Sequence, residues 1–107
     1  GAASERTIRN YRDSEQFLDS IGVSKESKIL TLWAYPQNTP FILMNRKGFT
    51  VMKYDKDLVD TAMTFDYDYV IVENEVYKKE KDAWKYVFEE LDYHSDNGKI
   101  TLFVKKE

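Results

Sequence analysis

Lys28-Ile-Leu-Thr-Leu-Trp-Ala-Tyr-Pro-Gln-Asn-Thr-Pro-Phe-Ile-Leu-Met-Asn-Arg-Lys-Gly48 is the stretch that decides the fold. Its first part, Ile29 to Ala34, is almost continuously apolar. A run of that kind fits a strand covered on both faces, which requires helices above and below a mostly parallel sheet. The run breaks at Pro36 and restarts at Thr39-Pro40, which read as the N-cap and first position of a short helix. Phe41 to Met44 form the body of that helix and Gly48 its end; a strand over the same four residues is the competing reading. Parallel sheets present their usable surface just beyond the strand ends, here Tyr35 to Gly48.

Outward from this stretch the chain alternates. Residues 1–12 are polar, with only Ile8 and Tyr11 as apolar anchors, and read as a lead-in prone to fraying. Asp13 or Ser14 caps a helix that carries Phe17, Leu18 and Ile21 on one face and ends at Gly22. The first strand is expected over residues 28–34 and the second over 49–52. A helix opening at Asp55 or Asp57 carries Leu58, Val59, Ala62 and Met63 on one side. Asp66-Tyr67-Asp68 turns into a third strand, Tyr69 to Val72, again apolar on both faces. Tyr77, Trp84, Val87, Phe88 and Leu91 mark a charged helix running to about Leu91. Asn97-Gly98 signals a closing hairpin from Tyr93 to Lys105. The expectation is an α/β fold: a three-layer α/β/α Rossmann-like sandwich of about five strands, the first three parallel and the last two an antiparallel hairpin. Residues 13–107 form its single domain.

Composition narrows the function. Aromatic residues at 15% let a chain of 107 residues bury a sizeable core. A formal net charge of -3, with the basic pairs Arg46-Lys47, Lys78-Lys79 and Lys105-Lys106 scattered, argues against nucleic acid as a partner. The chain has no cysteine, which excludes disulfides and thiolate metal sites and suits either a cytoplasmic or a periplasmic setting. No segment approaches the ~18 apolar residues of a membrane span. Gly1 in place of Met suggests a piece of something longer.

Chemical motifs are sparse. His94 is the only histidine and has neither a second imidazole nor a thiol to complete a metal site or a catalytic triad. Asp66-x-Asp68 spells a metal-diphosphate pattern, but it precedes a strand, and Asp is a favoured turn residue. Four glycines supply no phosphate-cradling loop, and no cofactor is expected. Trp33 and Trp84 fall at core positions. The remaining cluster is Tyr35, Asn38, Asn45, Arg46, Glu73 and Asn74. If the first and third strands are neighbours, the loops after them meet, and Arg46 offers a planar donor fork to a carboxylate or phosphate. The plainer reading is favoured: Asn38 and Thr39 cap, Arg46 neutralises Glu73, and Asn74 turns the chain.

The 28–48 stretch, together with Asp68-Tyr-Val-Ile-Val72 and the closing hairpin, resembles the soluble C-terminal tail of bacterial multi-span glycosyltransferases. These are the membrane enzymes similar to protein mannosyltransferases and the lipid A aminoarabinose transferase. The resemblance covers most of residues 14–107 and rests on pattern; the family's catalytic acids lie among membrane helices, so none carries over. It implies a non-catalytic accessory domain on the extracytoplasmic, periplasmic face of a bacterial inner membrane. Its implied partners are the transmembrane portion of the parent protein and a glycan or lipid-linked sugar. The alternative is a stand-alone small α/β domain that binds a ligand in the crevice at the strand ends.

Overall fold

A computed structural model describes all 107 residues. The fold is α/β, with a five-stranded mixed sheet and six helices. The helices are α1 (Ala2–Tyr11), α2 (Ser14–Ser20), α3 (Thr39–Met44), α4 (Lys56–Met63), α5 (Asn74–Glu80) and α6 (Lys85–Phe88). The strands are β1 (Lys28–Leu32), β2 (Lys47–Val51), β3 (Tyr69–Glu73), β4 (Leu91–Asp96) and β5 (Ile100–Lys105).

The sheet order is β2-β1-β3-β5-β4. β1 pairs parallel with β2 and with β3, Leu30 lying opposite Phe49 on one side and Val70 on the other. β5 runs antiparallel to both β3 and β4. The chain leaves β1 in one direction to form β2, then passes back over β1 to form β3. α3 contributes Met44 to one apolar cluster, and α4 contributes Val59 and Ala62 to the other.

Strand alternation then builds two cores. Leu30, Leu32, Val70, Val72 and Phe103 face one way and pack with Val51, Val59, Ala62, Val76 and Val87. Ile29, Ile71, Ile100 and Leu102 face the other way and pack with Tyr11, Leu18 and Met44. Val70, Ile71 and Val72 are all completely buried, which accounts for the unbroken apolar run. Burial stabilises each such side chain by roughly 1.5–3 kcal/mol.

Several local expectations are corrected. Residues 2–11 are not a frayed lead-in but a helix whose Thr7, Asn10 and Tyr11 are buried. β1 stops at Leu32, because Trp33 turns into the left-handed region at φ 59°. α3 ends at Asn45 in that same conformation, φ 52°, and not at Gly48. Gly48 belongs to β2, where an added Cβ would sit 1.7 Å from the Ile29 carbonyl oxygen; it serves close strand approach. The helix expected to reach Leu91 is split into α5 and α6, and Leu91 opens β4. The break lets the Trp84 ring pack 5.0 Å from that of Trp33. The hairpin turns at Asn97-Gly98, with Gly98 at φ 86° and the Asn97 side chain accepting from the Lys99 and Ile100 amides.

Candidate functional site

In a sheet of this order the crevice forms where the chain reverses direction, at the carboxyl ends of β1 and β3. β1 delivers Trp33 to Pro36 there, and β3 delivers Glu73 and Asn74. The crevice is filled by α1. Ala2 and Ala3 are strong helix formers, Glu5 sits in the first turn and Arg9 in the last, both favourable to the helix dipole. The face turned inward is polar: Arg6, Thr7 and Asn10 all converge on the Glu73 carboxylate.

Glu73 is completely buried and accepts four hydrogen bonds. Oε1 receives Arg6 Nε at 2.9 Å and Asn10 Nδ2 at 2.8 Å; Oε2 receives Arg6 Nη2 and the Thr7 hydroxyl, each at 3.1 Å. That number matches the lone pairs a carboxylate can offer. Arg6 Nη2 also donates to the Trp33 carbonyl at 3.0 Å, and the Tyr35 amide donates to the Thr7 hydroxyl at 3.2 Å. α1 is thus tied to both strand ends. Its hydrogen bonds to the Glu73 carboxylate hold the Arg6 guanidinium above its ordinary pKa. At the rim, Asn10 and Arg9 each reach Glu75 Oε1 at 2.7 Å, and the Asn10 bond leads in lowering that carboxyl's pKa. Beneath the helix, Tyr11 is fully buried with no partner for its hydroxyl, and desolvation pushes its pKa well above the ordinary value.

The six residues expected to form the site do not come together. Tyr35 is half-exposed in the crevice loop, beside a cis Tyr35–Pro36 bond. Asn38 caps α3 by position without a side-chain bond. Asn74 opens α5, its Oδ1 accepting from the Thr101 hydroxyl at 2.6 Å. Asn45 and Arg46 lie at the other end of the sheet. α3 carries the chain back from the carboxyl edge to the amino edge before β2 begins, so the residues after it cannot share a crevice with Glu73.

Arg46 is buried there and acts as a clamp. It donates to the carbonyls of Met44 at 2.9 Å, Ser24 at 3.2 Å and Val23, and to Asp19 Oδ1 at 2.9 Å. Asn45 bonds Glu15 at 2.9 Å. The partner of Arg46 is therefore Asp19, and Glu73 is neutralised by Arg6. The residues that sequence reasoning missed are Arg6, Thr7 and Asn10. Their signal is the spacing of Thr7, Asn10 and Tyr11, three and four apart, which makes one helical face even though most of it is polar.

The other motifs settle into structural roles. Asp68 accepts from the Lys28 amide at 2.8 Å and Asp66 pairs with Lys28 Nζ at 3.2 Å, joining the turn to the start of β1. His94 bonds Ser95 and packs edge-on against Tyr69. Trp33 is buried, stacked on Tyr54 at 5.1 Å. No three His, Cys, Asp or Glu side chains come together as a metal site, and no helix is long and apolar enough to cross a membrane. Comparison with known proteins finds no matching family model, no matching curated protein and no matching solved structure.

Proposed function

We propose that the chain is a non-catalytic accessory domain, a three-layer Rossmann-like sandwich that serves an extracytoplasmic role in a membrane glycosyltransferase-like protein. The observation that carries the non-catalytic part is the occupation of the crevice. A catalytic carboxylate needs a free lone pair or a proton to move. Glu73 spends its lone pairs on Arg6, Thr7 and Asn10 of its own chain. The stand-alone ligand-binding reading is less well supported, because a small ligand at this crevice would have to displace α1 and leave a buried carboxylate without its donors.

The accessory part draws on the resemblance of residues 28–48 and 68–72 to the tails of multi-span glycosyltransferases. On that reading the domain supports acceptor binding or assembly, with the transmembrane portion of the parent as its partner, at the periplasmic face. The reading frame that encodes the chain tests it. Multiple apolar spans upstream of Gly1, in frame, are the expected result; a native start within a few residues of Ser4 overturns the proposal.

A further inference from the structure

We infer that the free edge of β2 is a strand-addition site for an extended, acid-flanked apolar segment of another polypeptide. The inference is independent of the accessory-domain reading, since it rests on the edge alone. The sheet has two edges, β2 and β4. Natural edges are commonly blunted by bulges and charged side chains. β4 is blunted in this way: its register breaks between Tyr93 and Ser95, and it carries Asp92, His94 and Asp96. β2 has no bulge and no proline, and keeps an unbroken register with β1 from Lys47 to Val51.

No strand pairs with its outer side. The Val51 carbonyl accepts from the Trp33 amide, so Val51 faces β1. By strand alternation Phe49 and Lys47 face β1 too, and Gly48 and Thr50 turn their amides and carbonyls away from β1, toward the free edge. Shallow hollows flank this row. One of about 140 Å³ lies on the α4 side, at Phe49, Val51, Met52 and Leu58. One of about 240 Å³ lies on the α3 side, at Gln37, Asn38, Phe41 and Thr50. Phe49 and Leu58 are each 49% exposed, and Phe65, edge-on to Phe49 at 5.3 Å, is 39% exposed. An added strand would place apolar side chains against Phe49 and Leu58, and small polar ones toward Asn38, in alternation.

Charge selects the occupant. Exposed Lys47 and Lys53 bracket the edge, and neither is in an ion pair within the chain. Lys47 opens β2 and Lys53 lies two residues past its end at Val51, so a short extended segment with a carboxylate at each end meets a lysine at each end in either direction. A second copy paired antiparallel about Thr50 would instead set Lys47 against Lys53, an unfavourable opposition of like charges.

The test is titration of acetyl-Glu-Thr-Val-Thr-Val-Thr-Asp-amide, whose acids and valines share one face, into ¹⁵N-labelled protein, read by amide shifts. The expected result is saturable shifts centred on Gly48 and Thr50. The double variant Lys47→Glu/Lys53→Glu, checked for a native circular-dichroism spectrum, should bind this peptide at least tenfold more weakly. It should bind the same peptide flanked by lysines better than the parent chain does. Absence of β2 shifts at millimolar peptide overturns the proposal, as does equal binding of acid-flanked and lysine-flanked peptides. A concentration-dependent dimer in sedimentation, with its shifts on β2, assigns the edge to a second copy and overturns the proposed occupant.

Discussion

Arg6 Nε stands 2.9 Å from Glu73 Oε1, although 67 residues separate them along the chain. The pair fastens the first helix to the end of the third strand, at the place where a sheet of this topology would otherwise open to a ligand. Arg6→Ala leaves a wholly buried carboxylate with two neutral donors. Removing one partner of a buried pair costs about 3–5 kcal/mol; Arg6 keeps 21% of its side chain exposed, so the lower end applies, about 3 kcal/mol. Melting should drop by roughly 12–20 °C for a domain this small. Thermal unfolding followed by circular dichroism checks it, and an unchanged midpoint would show that the contact is not made in solution.

Gly48 makes a sharper steric demand. Gly48→Ala puts a methyl carbon 1.7 Å from the Ile29 carbonyl oxygen and 2.7 Å from the Phe41 ring. Backbone on one side and a packed ring on the other leave no cheap relaxation, so β1 and β2 must part. We expect a loss of at least about 3 kcal/mol, read as a lower urea midpoint. Ala at Gly98 should cost less than at Gly48: its φ is strained for a side chain, but nothing lies within 4 Å.

Acid should lower stability modestly through paired surface carboxylates. Hydrogen bonds from Lys25 and then Asn45 hold Glu15 below its ordinary 4.5, and bonds from Lys25 and then Arg46 hold Asp19 below its ordinary 3.8. Asp60 is lowered likewise by Lys56 and Tyr86. Folded values lie below unfolded ones, so this stabilisation is complete above the unfolded values and fades as pH falls through the folded ones. Urea midpoints measured from pH 6 to pH 2 should hold steady and then decline below about 4.5. Asp19→Asn should lose stability at pH 6 and show a shallower decline.

Alkali acts with the opposite sign. Desolvation, aided by the charge of Glu90, pushes the Tyr67 phenol from 10.0 up to about 12. The fold favours the neutral form, so that contribution is whole below pH 10 and is lost as pH rises toward about 12. Absorbance at 295 nm should show Tyr67 ionising later in the native protein than in the urea-unfolded chain. Tyr67→Phe should remove one late step from the native titration curve.

The two central strands were readable because hydrophobic burial writes itself locally: Ile29 to Leu32 and Tyr69 to Val72 carry core residues on both faces. Thr39-Pro40, read one residue late since Asn38 is the N-cap of α3, and Asn97-Gly98 were readable because helix starts and tight turns depend on a few adjacent residues. α1 was not, because its docking face is polar. Thr7 and Asn10 look like solvent residues until Glu73 is placed beneath them, and that placement depends on the whole sheet. Arg46 was assigned the wrong carboxylate for a related reason. Sequence proximity to the crevice loop hid the fact that α3 carries it to the opposite edge. Gly48 looked like a helix terminator, since a close approach between two strands leaves no trace in either strand alone.

A double-mutant cycle between Arg6→Ala and Glu73→Gln tests most directly whether α1 seals the strand ends. Unfolding free energies of the parent, both single variants and the double variant give the coupling without the separate costs of each change. If α1 seals the strand ends, the coupling is favourable by at least about 1.5 kcal/mol, in the range of residues that share one buried network. Additive effects, with coupling near zero, would mean that α1 does not sit on Glu73 and that the crevice stands open.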